Sequence, residues 1–277
     1  MKGKSCTIVS AVDRDEVYVG SNLDAPNPDV KMWFIPSDSK RFGRVCFGFN
    51  FKIAENGMNE HGLFIDCNTV PETGWRPDPD KPDWEDWEGW YESGVPDGIL
   101  SKCRTVDEAL SVFESYNLHT LRTIKFFVAD AEGQSAVLEW SKGGLNVIRR
   151  PDEAYYQIST NFTTSDYKQD EIPCYRYRIA ENIFMSQTTG PSVPLIRKIL
   201  SITAMEINSP TQVSVIYELF RQRFYVHFYH NFEEVVEFSL KEELEKGLAQ
   251  YELFRVFKHT PFAYDVYKKA ALSNSDS

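Results

Sequence analysis

Basic charge, long apolar runs and closely spaced cysteines are what this sequence has least of. Its 30 lysines and arginines are outnumbered by 41 aspartates and glutamates, which gives a formal net charge of −11. Nucleic acids and anionic membranes are bound by clustered basic side chains, so we expect no nucleic acid or membrane surface as the main partner. No stretch contains the ~20 consecutive apolar residues of a membrane helix, so no membrane span is expected.

The five cysteines lie far apart, and none belongs to a Cys-x-x-Cys pair. Neither a disulfide framework nor a zinc site is therefore expected, and the sequence predicts no metal and no other cofactor. The first β-like run begins already at Cys6, too early for a signal peptide, which together with unpaired thiols favours the cytoplasm. The sequence leaves the oligomeric state open, with a homo-oligomer among the alternatives.

Short β-like segments separated by polar turns dominate the chain, as in antiparallel hairpins. Helical spacing of apolar residues occurs after the capping box that begins at Thr105, over 175–184 and over 193–202. The pattern Ser-x-x-Glu at Ser239 predicts that the last helix of the chain is short and begins there. With no repeat and no long linker, the sequence predicts one α+β domain.

The proline-rich stretch 71–97, here called the Trp-rich segment, departs from this pattern. It contains four of the six tryptophans, and between Glu72 and Asp97 there are nine acidic and two basic side chains. Loops of this length in a compact domain are usually functional, and aromatic rings need a surface to cover. We expect a lid over a pocket, or alternatively a surface clasp or a contact between subunits.

The predicted hairpin over 6–23 gives the first indication of chemistry. If its turn is centred on 14–15, strand pairing places Asp24 beside the peptide bond that precedes Cys6. Cleavage of that bond would give Cys6 a free α-amine next to its own thiol. An α-amine with a pKa of ~7.7–8.0 can accept the proton of a thiol near neutral pH, and this is how an N-terminal nucleophile is activated by its own amine.

Five motifs follow one another along most of the chain: Ser5-Cys6-Thr7, Gly20-Ser21-Asn22-Leu23-Asp24, Gly57-Met58-Asn59-Glu60-His61-Gly62-Leu63 with Asn68 after it, Ser159-Thr160-Asn161-Phe162, and Cys174-Tyr175-Arg176-Tyr177-Arg178. In this order they resemble the motifs of the choloylglycine hydrolase and penicillin V acylase family. They also resemble those of the related acyltransferases and acid-ceramidase-like enzymes. All of these are N-terminal nucleophile (Ntn) hydrolases that act on linear amides.

This resemblance implies a four-layer αββα sandwich of two antiparallel sheets, the Ntn-hydrolase fold. It implies that residues 1–5 are a short leader, that its removal exposes Cys6 as the nucleophile, and that 6–277 form a single domain. The activity implied is hydrolysis of a small-molecule acyl amide through a thioester intermediate, without a cofactor.

Positions carried over from the family give each candidate residue a role. Asp24 is expected to bind the α-amine of Cys6, and Asn161 to supply the amide of the oxyanion hole. Arg176 is expected to complete the catalytic set, with Arg178 as the second choice because the local match does not separate the two. The remaining candidates for contacts with the substrate or the oxyanion are Asn68, Ser21 and Asn22.

Ser21 is the main departure from the family pattern, because many members carry an arginine three residues before the aspartate. Its presence favours one alternative, an unprocessed and non-catalytic binding protein of the same fold. A second alternative is an acyltransferase, in which an acceptor amine replaces water. The acidic Trp-rich segment predicts that the amine portion of the substrate is neutral or cationic rather than anionic.

Overall fold

The computed structural model describes residues 6–14, 16–90, 94–259 and 261–273. The predicted leader, residues 1–5, lies outside the described residues. Alternation of apolar side chains along the strands produces two sheets in which every neighbouring pair is antiparallel.

The six-stranded sheet has the spatial order β10 (Tyr156–Ser159), β1 (Thr7–Asp13), β2 (Glu16–Asp24), β11 (Thr211–Glu218), β12 (Arg223–Phe228) and β13 (Asn231–Ser239). The eight-stranded sheet has the order β14 (Ala249–Glu252), β3 (Lys31–Ile35), β4 (Arg44–Gly48), β5 (Asn56–Asn59), β6 (Phe64–Thr69), β7 (Ile124–Ala129), β8 (Ser135–Ser141) and β9 (Gly144–Arg149). Their facing sides share one core, which includes Phe47 and Phe64 from one sheet and Tyr217 and Phe224 from the other.

Helices cover the outer face of each sheet. On the eight-stranded sheet lie α1 (Val95–Lys102) and α2 (Val106–Ser115), and on the six-stranded sheet lie α3 (Tyr175–Met185) and α4 (Val193–Thr203). The layers thus follow the order helix, sheet, sheet, helix, and the predicted αββα sandwich is confirmed. Among the described residues, no helix combines the length and the apolar composition that crossing a bilayer requires.

The C-terminal part corrects one expectation. A short helix, α5 (Leu240–Glu245), does begin after Ser239, whose hydroxyl accepts from the backbone N–H of Glu242. It is not the last helix, because α6 (Phe262–Ser273) follows it. Among the described side chains of α6, only Tyr264 is buried. This helix therefore lacks the repeated buried positions that give the other helices a clear apolar periodicity.

The first hairpin has the predicted register. Thr7 pairs with Asn22 and Asp13 pairs with Glu16, which is the pairing predicted from a turn between these two strands. Continued by one residue, this register places Leu23 opposite Cys6, and Asp24 is the next residue of β2. On its other side, Asp24 pairs with Thr211 of β11. The end of β2 and the start of β1 are side by side, as the argument for an activated cysteine requires.

The Trp-rich segment packs on the outer helix layer. Trp84 and Trp87 are buried with their ring centroids 4.6 Å apart, in the core shared by α1, α2 and the eight-stranded sheet. Gly98 of α1 makes room for them, because a Cβ atom there would lie 3.1 Å from the Trp84 ring and 3.2 Å from the Trp87 ring. Trp90, in contrast, is 38% exposed. Of the three alternatives for this segment, these contacts favour the surface clasp.

Candidate active site

Cys6 immediately precedes β1 and is 2% exposed. Its backbone N–H donates to Oδ1 of Asn161 at 2.7 Å. Its carbonyl oxygen accepts from Nη1 of Arg176 at 2.8 Å and from Nδ2 of Asn68 at 3.3 Å. Three of the predicted residues, which are distant along the chain, thus contact the backbone of Cys6 directly.

Arg176 connects the remaining members of the predicted set. It is buried in the first turn of α3, and its Nη2 donates to Oδ1 of Asn161 at 3.0 Å. Nη1 donates to the hydroxyl of Thr7 at 2.8 Å and lies 3.7 Å from Oδ2 of Asp24. One guanidinium therefore orients the Cys6 carbonyl, the Asn161 amide and the Asp24 carboxylate, which suits its fixed fork of donors.

Arg178, the second choice, lies elsewhere. It is exposed, and its guanidinium donates to the backbone carbonyls of Ile172 at 2.9 Å and Asp170 at 2.7 Å. Because residues two apart on a helix point in different directions, only one of the two arginines can reach Cys6. The structure brings Arg176 to that position.

Asp24 ends β2 and is completely buried. Its Oδ1 accepts from the hydroxyl of Thr211 at 2.5 Å. Burial raises the pKa of Asp24, whereas the hydrogen bond from Thr211 and the charge of Arg176 act in the opposite direction. Among the described residues nothing donates a hydrogen bond to Oδ2, so this oxygen can accept one from a further donor.

Asn161 is oriented with its oxygen towards Cys6. Both Cys6 N–H and Arg176 are donors, so the amide oxygen must face them. Its Nδ2 donates to the backbone oxygen and the hydroxyl of Thr69, at 3.0 and 3.2 Å. The amide donor expected for an oxyanion hole is thus bonded to Thr69, and the side chain acts at Cys6 as an acceptor.

Asn68 presents the opposite end of its amide to Cys6. It is completely buried on β6, and its Oδ1 accepts from the hydroxyl of Ser159 at 2.6 Å. Its Nδ2 is the group that faces the Cys6 carbonyl. Of the two asparagines, Asn68 is therefore the one whose amide donor points towards Cys6.

Sequence reasoning missed Asp66. This buried carboxylate on β6 accepts from the hydroxyl of Ser21 at 2.5 Å and from the backbone N–H of Cys67 at 2.6 Å. The hydrogen bond from Ser21 joins the two sheets near Cys6. Its position directly after the apolar residues Phe64 and Ile65 could have indicated a buried carboxylate. An acidic residue is rarely buried without a specific partner, so such a position is a candidate for a site.

Carboxylates dominate the charge around the Cys6 thiol. Burial raises its pKa well above that of a free cysteine, and the negative charges of Asp24, Asp66 and, more weakly, Glu55 raise it further. The backbone N–H of Asp24 acts in the opposite direction. While Cys6 is part of a peptide bond, its thiol therefore stays protonated at neutral pH.

Asn22 is another predicted candidate whose side chain does not face Cys6. Successive residues of a strand face opposite sides of the sheet, so Asn22 points away from the side that Ser21 occupies. Its Nδ2 donates to the backbone carbonyl of Leu200 at 2.9 Å, and its Oδ1 accepts from Ser214 at 2.7 Å. Asn22 thus attaches α4 to the six-stranded sheet.

Comparison with solved structures identifies the fold. Penicillin V acylase from Agrobacterium tumefaciens superimposes with a TM-score of 0.68 at 16% identity, covering 90% of this chain and 91% of that chain. A mutant conjugated bile acid hydrolase from Clostridium perfringens gives a TM-score of 0.67 at 15% identity, covering 89% of this chain and 96% of that one. A Caenorhabditis elegans ortholog of N-acylethanolamine-hydrolyzing acid amidase gives 0.55 at 15% identity, covering 77% and 93%.

No protein-family model and no curated protein matches the chain. The structural likeness extends over most of its length, so the chain has the fold of these acylases and amidases. This is the fold that the sequence motifs imply, and the expected resemblance is confirmed at that level.

Proposed function

We propose that the protein is an N-terminal cysteine amidohydrolase that cleaves a linear acyl amide through a thioester on Cys6. The contact between the Cys6 nitrogen and Oδ1 of Asn161 carries this proposal. That nitrogen is the atom that becomes an α-amine if residues 1–5 are removed. The likeness of the fold to acylases and amidases supports the same reaction class.

The α-amine of Cys6 would be the general base. Asn161 Oδ1 would keep one of its hydrogens, and the free Oδ2 of Asp24 is available for another. A neutral amine with a pKa of ~7.7–8.0 can take the thiol proton, which gives an ammonium beside a thiolate. The negative charge of Asp24 would stabilise that ammonium and so offset the burial of the thiol.

The reaction then follows from these positions. The thiolate forms a bond to the amide carbon, whose oxygen becomes the oxyanion. We expect its donor from Asn68, because Nδ2 of Asn68 uses one hydrogen on the Cys6 carbonyl, whereas Nδ2 of Asn161 makes two bonds to Thr69. The ammonium of Cys6 gives its proton to the leaving nitrogen as the C–N bond breaks. Water, losing a proton to the amine, then forms a bond to the thioester carbon, and the C–S bond breaks to release the acid. The ammonium returns its proton to the sulfur, which restores the thiol and the neutral amine.

The proposed partner is a small-molecule acyl amide, encountered in the cytoplasm. The carboxylates of Asp24, Asp66 and Glu55 act on the Cys6 thiol, and Arg176 is the cation that lies beside Asp24 among the described residues. This excess of negative charge disfavours an anionic amine portion in the substrate. The preference for a neutral or cationic amine therefore rests on these carboxylates, because the Trp-rich segment packs on the outer helix layer, away from Cys6.

Intact mass of the purified protein tests the proposal. We expect wild type to lack residues 1–5 and Cys6→Ala to retain them, while Cys103→Ala, which removes an equally buried thiol elsewhere, is processed like wild type. Incubation with acyl amides should then add one acyl group to Cys6. An unprocessed wild type that forms no acyl adduct would contradict the proposal. It would favour the non-catalytic alternative, which the burial of Cys6 supports. Transfer of the acyl group to an added amine would identify an acyltransferase.

A further inference from the structure

We propose that the buried ion pair of Lys125 and Glu139 positions Asn161 against Cys6, by holding the backbone of residues 160–166. These residues are called the Asn161 segment below. The consequence for catalysis rests on the proposed function. The effect on the position of Asn161 does not, and it can be measured separately.

Lys125 and Glu139 project into the interior from neighbouring strands of the eight-stranded sheet. They lie on β7 and β8, two residues from Phe127 and Val137, which belong to the core between the sheets. Both are completely buried, and Nζ of Lys125 lies 3.7 Å from Oε2 of Glu139. Removing two charges from water costs several kcal/mol, and apolar residues often replace such a pair without loss of stability. Stability alone therefore does not account for this pair.

Four hydrogen bonds join the pair to the Asn161 segment. Nζ of Lys125 donates to the carbonyl of Phe162 at 2.6 Å and to the hydroxyl of Thr164 at 3.1 Å. The carboxylate of Glu139 accepts from the backbone N–H of Thr164 at 2.9 Å and from that of Ser165 at 2.6 Å. All four bonds fall within the four residues that follow Asn161.

The Asn161 segment depends on such contacts because it lies outside the sheet. Strand β10 ends at Ser159, so the backbone of Asn161 is beyond its ladder. Asn68 on β6 is the register partner of Lys125 and binds Ser159. Three neighbouring strands of the eight-stranded sheet thus contribute Asn68, Lys125 and Glu139 to one row, which holds the chain on both sides of Asn161.

Strand pairing brings Asn161 near Cys6, and the pair fixes the backbone that follows Asn161, so it contributes to the distance between the Asn161 amide and the Cys6 nitrogen. Cys6 is fixed by β1 in the six-stranded sheet, whereas the Asn161 segment is fixed by side chains of the other sheet. Loss of the pair would remove its four hydrogen bonds to the segment. The remaining attachments would be β10, the bonds of Asn161 with Thr69 and Arg176, and the contacts of Ser141 with Asp166 and of Lys142 with the Ser165 carbonyl. Misplacement of a catalytic contact by about 1 Å can lower a rate ~100-fold.

The test is the double variant Lys125→Met/Glu139→Leu in the full chain. It leaves no single buried charge, so it avoids the main reason for which a single substitution would fail to fold. The matched control is Arg44→Met/Asp97→Leu, which removes a pair of similar burial, 2.6 Å apart, between β4 and α1 on the outer face of the same sheet. Glu139→Gln, which retains the shape of the side chain and one acceptor, is the milder second variant.

Three measurements decide the inference. In the double variant we expect the removal of residues 1–5 and kcat to fall ~100-fold, with KM for the acyl amide within about threefold of wild type. Glu139→Gln should show a loss of about tenfold, and the control pair no loss of kcat. In crystal structures of the double variant, the contact of Asn161 Oδ1 with the Cys6 nitrogen should be absent.

Wild-type rates of processing and kcat in the double variant would overturn the inference. A loss of equal size in the control pair would also overturn it, because any buried pair would then have the same effect. If wild type itself is neither processed nor active, the proposed function fails and the crystal structures alone decide. Asn161 in unchanged contact with Cys6 would then overturn the positioning role, and a displaced Asn161 would support it.

Discussion

The backbone nitrogen of Cys6 donates a hydrogen bond to Oδ1 of Asn161 at 2.7 Å, although the two residues lie 155 positions apart. The pairing of β1 with β10, in which Ile8 lies opposite Ser159, brings them together. The contact exists while Cys6 is still in a peptide bond. Any α-amine released at Cys6 would thus find its acceptor already in place, at no further cost of reorganisation.

Asn161→Leu and Asn161→Asp separate the acceptor of this side chain from its donor. Leucine has a similar volume but no acceptor, so we expect processing and kcat to fall ~100-fold. Aspartate retains the oxygen that faces Cys6 and Arg176, replaces the donor to Thr69 by an acceptor and adds a negative charge that Arg176 can balance, so its loss should stay within about tenfold. Equal losses in both variants, measured by intact mass and steady-state kinetics, would contradict the prediction that the oxygen facing Cys6 is the essential part of this side chain.

Arg176→Met and Arg178→Met test two arginines that the sequence could not separate. Loss of Arg176 leaves the buried Asp24 without its nearest cation, which should lower the free energy of unfolding by about 3–5 kcal/mol and abolish processing. Arg178 is exposed, and among the described residues its guanidinium donates to two backbone carbonyls, so its loss should cost less than about 1 kcal/mol. Urea unfolding and intact mass measure both effects, and similar results for the two variants would contradict the assignment.

The sequence predicted much of the fold because its signals are local. The capping box at Thr105 caps α2 through its hydroxyl, and the hairpin register follows from a two-residue turn. Strand β5 (Asn56–Asn59) was not predicted. All four of its residues are buried, and its sequence does not alternate between polar and apolar side chains. Its partners in the sheet, not its own propensity, determine that strand.

The candidate site shows the same limit. Cys6, Asp24 and Asn161 could be named from motifs, since each motif fixes a residue type at a strand end. The direction of the Asn161 amide could not, because it depends on the donors that surround it in three dimensions. Asp66 could not either, since its hydrogen bond to Ser21 crosses from one sheet to the other.

Asp66→Asn is expected to make Cys6 react at lower pH. The negative charge of Asp66 helps to raise the pKa of the Cys6 thiol, so removing that charge stabilises the thiolate and lowers the pKa. The pH at which alkylation of Cys6 becomes half-maximal, followed by peptide mass mapping, should therefore move down. Cys174, which is only half-buried, serves as the control in the same sample and should keep its profile. A profile of Cys6 that stays in place would rule out an electrostatic effect of Asp66.

The charge of the amine portion should decide between substrates. One acyl chain is attached either to glycine, which leaves a carboxylate, or to a diamine, which leaves an ammonium. At short range near a protein surface, one charge changes the free energy of binding by about 1–4 kcal/mol. The two amides differ by two charge units, so kcat/KM for the diamine amide should exceed that for the glycine amide at least tenfold. Asp66→Asn should reduce this ratio. Faster release of glycine by wild type would contradict the predicted preference.

Trp84→Ala and Trp90→Ala distinguish a clasp from a lid. Trp84 is buried against Gly98 and Trp87, so its truncation should lower the free energy of unfolding by about 3–5 kcal/mol, whereas the exposed Trp90 should cost less than about 1 kcal/mol. Trp84 packs in the core between the eight-stranded sheet and its helices, whereas Cys6 precedes β1 of the six-stranded sheet. We therefore expect neither substitution to alter KM or kcat of the folded enzyme. Urea unfolding and steady-state kinetics on the same samples provide the comparison. A raised KM in Trp90→Ala without a loss of stability would instead identify the Trp-rich segment as a lid.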